Sequence, residues 1–180
     1  MMRERDIKER VVITGMGAFT PLGLSVEETW AGLVAGRSGI AEITQFDASH
    51  LPIRIAGEIK GFDVRDYIDF KEARRMARCS HLAVAAGQQA MADAGLGDQV
   101  PDPERAGVVM GTGIGGFEVA LQGWELYKDK GMRRINPFLA TASLCNMPAH
   151  HLSLDFQCQA FNTTVVTACA AGTQGIGEAA

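Results

Sequence analysis

The sequence predicts a layered α/β fold in one domain that covers residues 1–180. The 180 residues are 47% hydrophobic and 21% charged, a balance typical of a globular domain that can bury one sizeable core. Apolar runs at 106–110 and 163–167 are each followed by a turn of small residues and then by a helical pattern. Strands that alternate with helices in this way favour helices packed in layers on a sheet.

The N-terminal part begins with an apolar run at 11–14, which we expect to form a strand before the turn Gly15-Met16-Gly17. A helix is expected over 26–35. Ser25 stands at its N-cap and Glu28 at the capping-box position. Their side chains can therefore accept hydrogen bonds from backbone N–H groups that have no partner inside the helix.

The later elements are each bounded by glycine, proline or small residues. They are expected as a helix over 70–94 that ends at Gly95, a strand over 106–110, a helix over 117–130, a helix over 142–154, a strand over 163–167 and a final helix that begins at Cys169 or Ala170.

Composition argues against several classes of function. The net charge of −4 does not favour nucleic-acid binding. No apolar run approaches the roughly 20 residues of a membrane span, and the charged N-terminus lacks the apolar stretch of a signal peptide. The four cysteines show no CxxC spacing, so we expect neither a metal site nor a disulfide framework, and we expect a reducing cytoplasmic location.

Cys169 is the most informative candidate for chemistry. A β-branched apolar run leads into it, and Ala170, Ala171 and Gly172 follow. A cysteine at the start of a helix meets free N–H groups and a partial positive charge, both of which favour the reactive thiolate. The alternative is a buried structural cysteine, because a free thiol also packs as a small hydrophobe.

The loop Gly111-Thr112-Gly113-Ile114-Gly115-Gly116 matches the G-x-G-x-x-G pattern of dinucleotide-binding turns. The acidic residue that should end a second strand about 20 residues later is missing, which weakens a nucleotide site. The alternative is a tight turn or a close backbone approach. In that case Ile114, which is apolar, is free to face a lipid-like ligand.

Taken together, the motifs resemble the elongating β-ketoacyl-acyl-carrier-protein synthases of bacterial fatty-acid synthesis. The matching segments are VVITGMG at 11–17, TPLG at 20–23, WAGLVAGRSGI at 30–40, FD at 46–47, GTGIGG at 111–116, NPF at 136–138, NM at 146–147 and TACAAG at 167–172. The resemblance implies a thiolase-like layered fold built from two related βαβαβαββ halves. The chain resembles most of the first half, so we expect a truncated N-terminal piece that lacks the C-terminal half.

The resemblance implies that Cys169 is the catalytic nucleophile. An acyl group would pass from phosphopantetheine on acyl carrier protein to the thiol. Malonyl carrier protein would then lose CO2, and its carbanion would attack the acyl-cysteine in a Claisen condensation. A thioester keeps the carbonyl electrophilic, and the Cys169 N–H is placed to donate to an oxyanion. No cofactor is implied beyond the phosphopantetheine that carries the substrates.

The resemblance also implies an acyl pocket. Ile114 matches the position that gates the pocket, and Phe138 matches a pocket residue contributed across the dimer. Ala168 is one of the small neighbours that would let the pantetheine arm approach. The alternative for Ile114 and Phe138 is ordinary core packing.

Partners follow from the same resemblance. Lys71, Arg74 and Arg75 match basic positions that meet the acidic carrier protein in relatives. The alternative is a solvated helix face with Glu72 as counter-charge. A homodimer would pair through the strand at 163–167. Neither a nucleic acid nor a membrane is expected as a partner.

The chain also departs from the family pattern. Ala160-Phe161 stands where the family usually has Gly-Pro, which puts the turn before the last strand in doubt. The family's catalytic histidines, its lysine and its oxyanion loop all lie beyond the nucleophile, where this chain ends. Its own histidines match none of these positions; they are His50, His81, His150 and His151. We therefore expect that the 180 residues alone do not condense. A polyketide-type ketosynthase and a non-catalytic partner or fragment remain as alternatives.

Overall fold

The structure is a computed structural model that describes residues 10–180. The helices are α1 (Val26–Val34), α2 (Phe70–Ala73), α3 (Arg78–Asp93), α4 (Phe117–Lys130), α5 (Leu139–Ser143), α6 (Met147–Phe156) and α7 (Ala171–Ala179). The strands are β1 (Ile40–Glu42), β2 (Ile55–Gly57), β3 (Val108–Gly111) and β4 (Asn162–Val165). The expected helices over 26–35 and 117–130 and the expected strands over 106–110 and 163–167 are confirmed within a few residues.

The centre of the fold is a parallel pair formed by β3 and β4. Val108 lies opposite Asn162, and Gly111 lies opposite Val165. Both α6 and α7 pack against this pair, and α3 packs against α6. The other two strands, β1 and β2, form a separate antiparallel pair. Helices therefore lie in layers on parallel strands, and Cys169 follows directly from the second of these strands.

The helices approach one another closely because the core is rich in small side chains. The buried alanines are Ala48, Ala73, Ala77, Ala83, Ala85, Ala142, Ala149 and Ala171. At Gly87 on α3, a Cβ atom would stand 2.7 Å from both Leu152 and Phe156 on α6. A side chain at Gly87 would force the two helices apart, since packed interiors leave no such space.

The helix expected over 70–94 is broken, and this expectation was wrong. Helix α2 ends at Ala73, and Ala77 has extended backbone (φ −82°, ψ 159°) before α3 begins. The backbone N–H of Arg78 donates to the carboxylate of Glu118 at 3.0 Å. A carboxylate from α4 therefore caps α3, and a cap supplied from a distant part of the sequence leaves no local signal. The expected stop at Gly95 is confirmed, with φ +68°.

The helix expected over 142–154 is also two helices rather than one. Helix α5 ends at Ser143, Leu144 is extended, and α6 begins at Met147. Pro148 lies in the first turn of α6. A proline has no N–H to donate, so it fits the first turn of a helix and would cost a hydrogen bond inside a continuous one.

The strand expected at 11–14 does not form. Val11, Val12 and Ile13 are 58%, 71% and 75% exposed, and no described strand lies beside them. The following Gly15 and Gly17 lie directly on α3, where a Cβ atom would overlap backbone carbonyl oxygens. A strand needs a hydrogen-bonded partner, and the apolar pattern alone does not supply one.

No helix among residues 10–180 is long and apolar enough to cross a membrane.

Candidate active site

Cys169 lies in a single 3-10 turn, Ala168–Ala170, between β4 and α7. The α-helix itself begins at Ala171, so the expected start at Cys169 or Ala170 is one or two residues early. Of the four cysteines, Cys169 is the exposed one. The turn therefore presents the thiol to solvent immediately before the first turn of α7.

The backbone of this turn is conformationally unusual. Ala168 has φ +49°, a left-handed conformation that costs a non-glycine residue about 1–2 kcal/mol. Ala170 N–H donates to the Thr167 carbonyl at 3.0 Å. Among residues 10–180, the Cys169 N–H makes no hydrogen bond. A donor next to the thiol is thus available for an oxyanion that forms on an attached acyl group.

The thiols of the other cysteines are less accessible. Burial raises the pKa of the Cys79 thiol, and a nearby Glu118 carboxylate raises it further. Burial also raises the pKa of the Cys158 thiol. Cys145 is half-buried. Because the thiolate is the nucleophile, these settings disfavour reaction at Cys79 and Cys158.

The glycine loop 111–116 packs against the Cys169 turn. The N–H of Thr112 donates to the Val165 carbonyl at 3.0 Å. A Cβ atom at Gly111 would overlap the carbonyl oxygen of Ala171, where α7 begins. Gly111 therefore allows β3 and α7 to come together, and a close backbone approach explains its presence.

The later glycines of the loop are also explained by packing. Gly115 has φ +64° and lies against Cys145. A Cβ atom at Gly116 would overlap the Ala142 carbonyl on α5. The N–H of Gly115 donates to the Thr112 hydroxyl at 3.1 Å, so this amide is not free for a phosphate. These contacts favour the packing interpretation of the loop over a nucleotide site.

Ile114 projects from this loop into solvent, with 62% of its surface exposed. Ordinary core packing does not describe its setting among residues 10–180. The loop lies beside the nucleophile turn, since a Cβ atom at Gly113 would stand 3.9 Å from the Ala168 carbonyl oxygen. Ala168 is exposed as well. Ile114 thus supplies an accessible apolar side chain on a loop that adjoins the Cys169 turn.

Phe138 lies in a second region, here called the basic cleft. This open cavity of about 510 Å³ is lined by Lys71, Arg74, Arg75, Arg134 and Phe138, among others. The structure therefore brings the three predicted carrier-binding residues together with a predicted pocket residue. The Arg75 guanidinium lies 4.8 Å from the centre of the Phe138 ring.

The charges of the basic cleft are only partly neutralised. Arg75 Nη1 is 3.0 Å from a Glu72 carboxylate oxygen. The Arg74 guanidinium lies over the Phe70 ring at 5.7 Å. Within residues 10–180, Lys71 and Arg74 have no ion pair. Glu72 thus pairs with Arg75, and Lys71 and Arg74 are left without a carboxylate partner in the described part of the chain.

The turn that departs from the family pattern keeps its strand contacts. Ala160 N–H donates to the Ala106 carbonyl at 3.0 Å, and Val108 N–H donates to the Phe161 carbonyl at 2.7 Å. Ala160-Phe161 therefore still delivers β4 in register with β3.

A family model described as "Beta-ketoacyl synthase, N-terminal domain" matches residues 8–180. The chain belongs to the β-ketoacyl synthase family. It is 44% identical over 172 residues to "3-oxoacyl-[acyl-carrier-protein] synthase 2" of Synechocystis sp., a match covering 96% of this chain and 41% of the relative. The chain thus spans about two fifths of the length of that curated relative.

Solved ketosynthase structures share the fold of this β-ketoacyl synthase chain. "The ishigamide ketosynthase/chain length factor" has a TM-score of 0.81 at 30% identity and covers 93% of this chain and 44% of its own. A type II PKS acyl-carrier protein in complex with its ketosynthase, AntDE:AntF, has a TM-score of 0.75 at 26% identity, with 94% and 46% covered. The predicted incomplete thiolase-like α/β fold is confirmed by these neighbours.

Three of the histidines of this synthase chain have contacts of their own outside the Cys169 turn. His81 Nε2–H donates to the Ala73 carbonyl at 2.8 Å, and burial lowers the pKa of His81. Burial also lowers the pKa of His151, whose ring lies 5.3 Å from that of His150. Among residues 10–180, no group of three or more His, Cys, Asp or Glu side chains could hold a metal ion.

Two residues of the synthase site lie inside the matching segments GTGIGG and NPF, but no role of their own was predicted for them. Thr112 ties the glycine loop to β4 through its N–H and braces the loop through its hydroxyl. Asn136 accepts from the Phe138 N–H at 3.0 Å and donates to the Arg74 carbonyl at 3.4 Å. Asparagine before proline is a turn signal, so the first of these bonds was predictable. The second joins distant segments and has no local signal.

Proposed function

We propose that this β-ketoacyl synthase chain supplies the acyl-accepting cysteine for decarboxylative Claisen condensation in fatty-acid elongation. The observation that carries the proposal is the exposed Cys169 thiol beside a free backbone N–H, at the start of α7. The 44% identity to a 3-oxoacyl-[acyl-carrier-protein] synthase 2 supports fatty-acid elongation as the pathway.

In the proposed reaction the Cys169 thiolate attacks the carbonyl carbon of an acyl thioester. A bond forms between the Cys169 sulfur and the acyl carbon, and the bond between the acyl carbon and the pantetheine sulfur breaks. The pantetheine leaves as a thiol, with a proton that balances the one lost by Cys169. The Cys169 N–H donates to the oxyanion that forms between these events. The malonyl thioester then loses CO2, and the electron pair of the broken C–C bond remains on carbon. That carbanion attacks the acyl-cysteine carbonyl, and Cys169 leaves as thiolate.

Acyl carrier protein is the proposed partner at the basic cleft. Support comes from the free cations Lys71 and Arg74 and from a structural neighbour that is a type II PKS acyl-carrier protein in complex with its ketosynthase. Ile114, Phe138 and Ala168 are proposed to contact the acyl chain and the pantetheine arm. The substrates arrive on phosphopantetheine, and we propose no resident cofactor and a cytoplasmic location.

A homodimer through β4 is proposed as the working assembly. Within residues 10–180, β4 pairs on one side with β3 and has no strand on its other edge. Phe161 and Val166, which flank β4, are 64% and 48% exposed. An open edge between exposed apolar residues suits pairing with a second copy.

A polyketide-type ketosynthase is the second candidate. Two ketosynthase structures, the ishigamide and AntDE ketosynthases, share the fold of this chain with TM-scores of 0.81 and 0.75. Their identities of 30% and 26% are below the 44% shared with the fatty-acid relative, so fatty-acid elongation is favoured. A non-catalytic partner is disfavoured because the nucleophilic cysteine is present.

The experiment measures CO2 release and 3-oxoacyl product from acyl and malonyl carrier proteins, using the protein as expressed from its own gene. Cys169→Ala should abolish product because no acyl-enzyme can form. Cys158→Ala, which removes a half-buried thiol, is the matched control and should retain product. Product formation that survives Cys169→Ala would contradict the proposal.

A further inference from the structure

Arg75 and Phe138 both line the basic cleft, but different tasks are proposed for them. Arg75 lines the basic cleft, where carrier protein is proposed to dock, and Phe138 is proposed to contact the acyl chain. The guanidinium carbon lies 4.8 Å from the ring centre, within the range of a cation–π contact. Phe138 is 39% exposed, so its ring lies at the surface of the cleft with the guanidinium over it.

The backbone of Phe138 is held by three hydrogen bonds. Its N–H donates to the Asn136 side chain at 3.0 Å. Its carbonyl accepts from the Ala142 N–H at 2.8 Å and from the Thr141 hydroxyl at 3.0 Å. With the main chain fixed at the start of α5, the side-chain rotamer of Phe138 depends on what packs against the ring.

Arg75 is itself oriented. Its Nη1 is paired with Glu72 at 3.0 Å, and the neighbouring Arg74 carbonyl accepts from the Asn136 side chain at 3.4 Å. A planar guanidinium held by a carboxylate can stack on a ring, whereas a lysine ammonium at the same place keeps the charge but not the plane. The Arg75 guanidinium thus contacts the Phe138 ring through its planar shape as well as through its charge.

The packing continues from Phe138 to the nucleophile. Helix α5 touches the glycine loop where Gly116 meets Ala142. The loop carries Ile114 and bonds to β4 through Thr112 and Val165. Helix α5, which Phe138 precedes, is therefore in direct contact with the loop beside Cys169.

We infer that Arg75 is a positioning residue that holds the Phe138 ring, so that the acyl-chain preference of the site depends on the guanidinium at position 75. The inference rests on the proposed function, because it concerns which acyl groups reach Cys169. It assigns Arg75 a task beyond attraction of the carrier protein.

The test uses acyl-pantetheine thioesters, which carry no protein and so remove carrier docking from the measurement. Acylation of Cys169 is timed for one short and one long saturated acyl group, and the ratio of the two rates is taken within each preparation. If a variant contains less folded protein, both rates fall by the same factor, so the ratio does not change. Arg75→Lys should change the ratio by about two- to fivefold, which corresponds to the free energy of an exposed cation–π contact.

Two further variants make the test specific. Arg78→Lys is the matched control, since Arg78 lies over a different ring, Phe62, at 5.7 Å, and should leave the ratio unchanged. Phe138→Leu removes the ring, so adding Arg75→Lys to it should no longer change the ratio. An unchanged ratio in Arg75→Lys, or an equal change in Arg78→Lys, would overturn the inference. Absence of acylation in the unmutated protein would overturn the proposed function as well.

Discussion

At the scale of single residues, the site depends on where backbone atoms are left free or forced together. Ala168 is left-handed at φ +49°, and the next residue keeps a free N–H beside its thiol. Gly111 has no side chain, so the start of α7 can lie against β3. The position of the thiol thus follows from two small residues that carry no chemistry themselves.

Gly111→Ala should destabilise the protein by about 1–3 kcal/mol, because its Cβ would overlap the Ala171 carbonyl oxygen and force α7 away from β3. Gly113→Ala in the same loop is the matched control. Its Cβ would stand 3.9 Å from the Ala168 carbonyl oxygen, an ordinary van der Waals contact, so the change should stay within about 0.5 kcal/mol. Denaturant unfolding of both variants measures the difference, and equal destabilisation would contradict the packing explanation of the loop.

At the scale of elements, the sequence predicted those whose ends are set locally. Helix α1 has its Ser25 side chain accepting from the Glu28 N–H at 3.2 Å, as the capping pattern indicates. Helix α4 runs over Phe117–Lys130, the predicted range, and its last turn carries the basic residues that favour a helix C-terminus. Local caps and charges can be read from neighbouring residues, so these boundaries were accurate.

The breaks in the other two helices were missed for different reasons. The first break is capped by Glu118 from α4, forty positions along the chain from Arg78. The second places Pro148 in a first turn, a signal present in the sequence but outweighed by the apolar pattern around it. The stacking of Arg75 on Phe138 likewise joins separate segments, so the sequence predicted both residues but not their contact.

At the scale of the whole molecule, a locally basic cleft lies on a chain of net charge −4. The overall charge does not attract an acidic partner, so attraction must come from the few cations of the cleft.

Lys71→Gln should raise the KM for acyl carrier protein about fivefold at low salt, because a surface charge contributes about 1 kcal/mol to binding. The KM should also depend less on salt concentration in this variant. The KM for acyl-pantetheine should not change, because that substrate has no acidic protein surface. Lys128→Gln is the control, since Lys128 on α4 is paired with Glu125 at 2.8 Å. An equal effect of both changes would show that the cleft has no special role in docking.

The most direct test of the account is the position of the covalent acyl group. After transfer from acyl carrier protein, the protein as expressed is digested and its peptides are mapped by mass spectrometry. One acyl mass is expected on the peptide that carries Cys169, and hydroxylamine should release it, as it does a thioester. An acyl group on Cys79, Cys145 or Cys158 instead, or no thioester adduct on folded protein, would contradict it.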